Sequence, residues 1–172
     1  MLVLKVFFRV SVLVLSFANQ AFSSEWVDHE NARFGTQAEI PSTGFEALSA
    51  PASGDGQRWV RHNGVGTFAI FGSFLVVSDD FSDYEALHLE WAKEEGIDVT
   101  YSVHGEGWFV LSGLKGGSII YRRYELSAYC GVEIVDGFTT TYPMYVRDVF
   151  DPITSHISLS LGNNKNGFDV DC

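Results

Sequence analysis

The residues best placed to do chemistry fall in one short stretch. His104 and Glu106 flank Gly105 at a turn, Ser112 follows on the next extended run, and Arg122 and Arg123 stand on the one after it. A carboxyl lifted by burial or by a like-charged neighbour could do general acid work, and Ser112 would then serve a small hydrolase. That reading requires His104, Glu106, Ser112, Arg122 and Arg123 to meet in a cleft with one strongly perturbed acid. The alternative is an ordinary surface arrangement of charges. Supporting motifs are missing. Ser112 lies in Leu111-Ser112-Gly113, where Val110 takes the place of the first glycine of a nucleophile elbow. His29, His62, His88, His104 and His156 form no H-x-x-x-H pair. Gly113-Leu114-Lys115-Gly116-Gly117 lacks the order and following hydroxyl residue of a phosphate loop. Asn164, Asn166, Asp169 and Asp171 offer oxygens around Gly167 but miss the calcium-loop spacing. No catalytic residue is therefore assigned, and no metal or cofactor is expected.

Recognition is the reading that remains. Trp26 lies in a polar lead-in and is a candidate exposed contact, whereas Trp59, Trp91 and Trp108 read as core aromatics. Together with His104, Glu106, Arg122 and Arg123, Trp26 makes up the candidate ligand- or partner-binding set. The chain holds 22 acidic and 11 basic residues, a formal charge of −11, and Arg122-Arg123 is its only adjacent basic pair. Nucleic acid is thereby disfavoured, because phosphate binding needs clustered positive charge. The leading expectation is a noncatalytic periplasmic or secreted accessory protein that binds an envelope protein or a small ligand. A small hydrolase and a structural cell-envelope protein stand as alternatives.

The elements that must position these residues begin after a leader. Lys5 and Arg9 precede an apolar run from Val10 to Ala18, and Ala21 and Ser23 supply the small-x-small positions of a cleavage site. Residues 1–23 are read as a signal peptide, leaving residues 24–172 as a single domain with no stable membrane anchor. The run is short for a crossing of ~20 apolar residues. Cleavage removes Lys5 and Arg9 and no acid, which moves the formal charge from −11 to −13. In an oxidising compartment Cys130 and Cys172 could form one bridge, against two free thiols or an intermolecular link.

Residues 24–31 read as a mobile lead-in, 33–40 as an extended segment ended by Pro41, and 42–55 as a surface loop. Asn63-Gly64 joins two extended runs, 57–62 and 65–74, as a hairpin. Asp79 or Asp80 opens a helix that Gly96 closes, with Leu87 and Trp91 one turn apart. Extended runs follow at 97–104, 108–113, 118–127 and from Cys130 to Tyr142, in the manner of an antiparallel meander. Asp151-Pro152 reads as the start of the last helix, with Ile153, Ile157 and Leu161 along one side.

This order carries a resemblance. RFG leading into Ile40-Pro41, a loop into Gly54-Asp55-Gly56, an aromatic hairpin ending near Phe71-Gly72, one helix, VTYSVHGEGWFVLSGLKGGSIIYRR, and finally TTYP with DPITSHISLSL are similar to a group of exported proteins of Gram-negative, rhizobial-type bacteria. More distantly the chain resembles the PsbP-like superfamily and the periplasmic DcrB-like proteins. The resemblance implies an α+β fold, a single antiparallel β-sheet with helices packed on both sides. It implies no reaction, since function belongs to a site and not to a fold.

Overall fold

A computed structural model describes residues 25–78, 80–129 and 131–163. Its strands are β1 (Trp26–Glu30), β2 (Thr36–Pro41), β3 (Phe45–Ala47), β4 (Gly56–Arg61), β5 (Thr67–Phe74), β6 (Asp98–Gly105), β7 (Trp108–Lys115), β8 (Ser118–Tyr129), β9 (Val132–Pro143) and β10 (Gly162–Asn163). Helix α1 spans Phe81–Glu94 and helix α2 spans Arg147–Ser160, preceded by a 3-10 turn at Met144–Val146.

The meander forms as its turns dictate. Gly64, Gly107, Gly116 and Gly117 all adopt positive φ, which a Cβ would oppose, so each chain reversal falls where the sequence allows it. Seven strands pair antiparallel in the order β3-β4-β5-β9-β8-β7-β6. Alternation along them sorts side chains by face. Phe109, Leu111, Tyr124 and Val135 pack with Tyr84 of α1, while Trp59, Phe68, Ile70 and Phe138 pack with Ile153 and Ile157 of α2. The two helices thus cover opposite faces.

The expected single sheet is overturned by a second one, three-stranded, in the order β1-β2-β10. Residues 26–30, read above as a lead-in, pair in register with β2 from Trp26↔Pro41 to Glu30↔Gln37. The cause is the alternation in β2, where Thr36, Ala38 and Ile40 are buried and Gln37 and Glu39 exposed. Ala38 and Ile40 join the core against Trp59, Ile70 and Phe138, so β2 lies on the face of the large sheet and not along its edge. Only a separate sheet can satisfy its backbone there.

Gly72 is a point of close approach between the sheets. A Cβ there would lie 2.6 Å from Thr36 Oγ1 and would also collide with the Phe34 ring. Gly72→Ala is expected to lower stability by about 2 kcal/mol, read as a reduced midpoint in urea denaturation, since overpacking forces a backbone shift. An unchanged midpoint would mean that the sheets can separate freely.

Three further expectations need correction or placement. Helix α2 begins four residues before Asp151, and Pro152 lies inside it. Asp151 does not cap; its carboxylate accepts the Tyr142 hydroxyl at 2.8 Å and pairs with Arg147 one turn back at 3.2 Å, which ties down the added turn. Burial of Phe150 against Tyr142 draws this turn inward. Second, no disulfide joins the described residues, and Cys130 and Cys172, expected to bridge, both lie outside them. Third, the leader at 1–23, the alternative cap Asp79 and the tail oxygens from Asn164 to Asp171 also lie outside the described residues.

Candidate functional site

The charged cluster read from the sequence is not brought together. Neighbouring residues of a strand point to opposite faces, and Arg122 and Arg123 obey this rule. Arg122 lies on the α1 face and donates from Nη2 to Glu95 Oε2 at 2.5 Å. His104, on the same face, meets Glu85 at 3.2 Å through Nδ1. These pairs tie the two ends of α1 to β8 and β6. Arg123 lies on the other face, where its guanidinium sits 4.9 Å over the Trp108 ring and donates to Glu125 through Nε at 2.9 Å. Glu106 is exposed in the β6–β7 turn. Ser112 Oγ donates to the Ile120 carbonyl at 3.0 Å, a cross-strand bond and no nucleophile's setting.

Two buried polar groups stand out, Asp136, which the sequence reading passed over, and His88, which lies on the margin of the apolar face of α1 and reads from the sequence as a packed or surface histidine. Asp136 of β9 is 1% exposed and accepts from Thr36 and Ser127 hydroxyls and from Asn163 Nδ2 at 3.1 Å. Burial raises its pKa above the usual carboxylate value, with the three donors opposing. Thr36 and Asn163 belong to the small sheet and Ser127 to the large one, so this carboxyl is the polar pin between them. The signal was Asp136 standing between Val135 and Gly137, on the same alternation as Ile134 and Phe138. His88 of α1 is 7% exposed among Tyr84, Trp91, Phe109 and Tyr124, and neither ring nitrogen has a hydrogen-bond partner. Burial chiefly, then Arg122, lowers its pKa to about 4, against the pull of Glu95. Both groups are sealed away from substrate.

A shallow depression of about 430 Å³ opens between the β5–α1 connection and α1, lined by Val76, Val77, Ser78, Asp83 and Leu87. Its walls offer only two polar side chains, fewer convergent groups than a built ligand site shows. Beneath the end of α1 a void of about 10 Å³ touches Ser112 and Arg122, room for one water at most. Among the described residues no three His, Cys, Asp or Glu side chains are grouped to hold a metal ion, and no helix is long and apolar enough to cross a membrane.

The most distinctive surface is the outside of α2. Its buried side carries Phe150, Ile153, Ile157 and Leu161. At 100° per residue, Val149, Pro152, His156 and Leu159 fall on one arc nearly opposite. Leu159 is 84% exposed, Val149 39%, and Tyr145, in the turn just ahead, 79%. Trp26 extends this stripe: its ring stacks flat on His156 at 3.6 Å and 9°. His156 Nε2 in turn meets Glu39 Oε2 at 2.6 Å. The one candidate residue expected to be an exposed contact is thus half-buried, fixed by a stack, and part of an apolar surface made mostly by residues that sequence reading left unassigned. The sequence signal was present in the spacing of Val149, Pro152, His156 and Leu159, and was masked by reading the helix from Asp151 onward.

No family model matches the chain, and no curated protein sequence matches it. Solved structures do match in shape. The solution structure of cyanobacterial PsbP (CyanoP) from Synechocystis sp. PCC 6803 superposes with a TM-score of 0.57 at 9% identity, covering 87% of this chain and 98% of that one. The Saccharomyces cerevisiae Ran-binding protein Mog1p superposes with a TM-score of 0.52 at 9% identity, covering 82% and 96%, and a Mog1 variant with 0.53 at 8% identity, covering 81% and 96%. At such identities the likeness is one of fold: a distant, partial resemblance to the PsbP-like frame.

Proposed function

We propose that this chain is a noncatalytic recognition protein, exported from the cytoplasm, that binds another protein through the outer side of α2 and the start of β1. The observation that carries this is the doubly apolar helix. One side of α2 closes the core, and the other holds Val149, Pro152 and Leu159 in the solvent, with Tyr145 exposed in the turn just ahead and Trp26 locked beside them. Lone exposed apolar side chains are ordinary, but a contiguous stripe marks a contact surface. Rigid aromatic anchors lose little conformational freedom on binding.

The dispersal of His104, Glu106, Ser112, Arg122 and Arg123 supports this reading over a hydrolase that would use them together. The frame supports it by analogy, since one structural neighbour is named a Ran-binding protein. Export rests on the leader at 1–23 alone.

The test is affinity capture from envelope extract with tagged protein, comparing wild type with Tyr145→Asp/Leu159→Asp and with Tyr101→Ser, which alters an exposed aromatic on β6. The expected result is one stoichiometric partner held by wild type and Tyr101→Ser and lost from the double variant, with all three equally stable. Capture that ignores the α2 changes would defeat the proposal.

A further inference from the structure

The stripe on α2 has an acidic rim. Asp148 borders it on the helix, and Glu25 precedes Trp26 in sequence. On β1 and β2, Asp28 stands directly opposite Glu39, and Glu30 follows on the same outward face. Like charges placed opposite across two strands destabilise a sheet. Glu39 has an answer in His156, whereas Asp28 and Glu30 face solvent with no cation among the described ion pairs near them. The guanidinium of α2, Arg147, is engaged by Asp151.

We infer that the α2 surface receives a cationic amphipathic helix of a partner protein, with apolar residues on the stripe and Lys or Arg side chains over Asp28, Glu30 and Asp148. This rests on the recognition reading above and adds the chemistry of the partner. The stripe runs from Val149 to Leu159, about 15 Å along a helix axis, which a partner helix of roughly three turns would cover. Its positions recur at three and four residues, the spacing into which ridges of another helix pack. A second copy of this chain is a poor occupant. It would set the same carboxylates against one another on a molecule already at a formal charge of −11. Opposite charge on the partner would relieve the Asp28–Glu39 repulsion and speed encounter.

The test uses two synthetic helical peptides of identical apolar face, one flanked by lysines and one by glutamates, titrated against the whole protein. The lysine peptide is expected to bind at least tenfold more tightly. That preference should shrink at 0.5 M salt, as screening at this ionic strength demands (~4 Å Debye length), and should vanish in Asp28→Lys/Asp148→Lys. Leu159→Asp should abolish binding of both peptides. If both peptides bind equally and Leu159→Asp abolishes both, the cationic partner is refuted and the contact surface stands. If the lysine peptide fails to saturate, or binds Leu159→Asp as well as wild type, both readings fall. Thermal unfolding of each variant guards against loss by misfolding.

Discussion

Asp136→Ala is expected to lower the unfolding free energy by about 3–5 kcal/mol, the largest loss of any single polar substitution in this fold. The carboxyl accepts from Thr36, Ser127 and Asn163, and truncation takes this acceptor from the Thr36 and Ser127 hydroxyls in a buried site, while Asn163 Nδ2 keeps the Phe34 carbonyl at 3.0 Å. Two of those donors lie on the small sheet, so the loss should appear as separation of β1 and β2 from the rest. Amide hydrogen exchange should show it as faster exchange at Ala38 and Ile40, ahead of β7 and β8. Asp136→Asn keeps the shape and one acceptor oxygen, and should lose only part of this. Its pH behaviour separates charge from shape. Because burial raises the folded pKa, protonation favours the folded state, so the contribution of Asp136 is complete below 3.8 and declines as pH rises through the folded value. Asparagine removes that decline. Chemical denaturation at several pH values checks both statements. A loss of under 1 kcal/mol for alanine would mean that water replaces the carboxyl and that the sheets are not pinned there.

What the sequence disclosed and what it hid follow from the range of the interactions. Asn63-Gly64 and the glycines at 107, 116 and 117 act within a few residues, and the strands they join were legible for that reason. So was α1, whose cap Asp80 accepts from the Asp83 amide at 2.8 Å. The second sheet was not, because nothing in Trp-Val-Asp-His-Glu distinguishes a lead-in from a strand until β2 offers its free edge. The onset of α2 was hidden by a competing rule. Proline favours the first helical position, yet the burial of Phe150 and the Arg147–Asp151 pair carried the helix past it. The scattering of the charged cluster, by contrast, could have been read, since Arg122 and Arg123 are adjacent on a strand and cannot share a face. Proximity in sequence across a hairpin brings residues near one another; the pleat then decides which of them meet.

The same distinction between nearness and partnership governs His88, and acid should expose it. A neutral imidazole carries one donor and one acceptor, and here both are shut among aromatic rings without a hydrogen bond. The groups facing it are Tyr84, Glu95, Arg122 and Tyr124; of these only Glu95 favours the imidazolium, and burial outweighs it. In the unfolded chain the ring titrates near 6.5, in the folded chain near 4. Above pH 6.5 it is neutral in both states and stability is complete. As pH falls from 6.5 towards 4 the unfolded state takes up a proton first, and about 3 kcal/mol of stability is lost over that window. His88→Leu removes the titrating group and both unpaired nitrogens while filling similar space. It should be more stable than wild type by about 1–2 kcal/mol at pH 7.5, because two buried polar atoms no longer go unmatched. The gap should widen by about 3 kcal/mol on going to pH 4. The difference between the two proteins isolates His88 from His29, whose burial also lowers its pKa and which both proteins retain. Parallel stability curves from pH 7.5 to 4 would show that His88 reaches water or finds a partner.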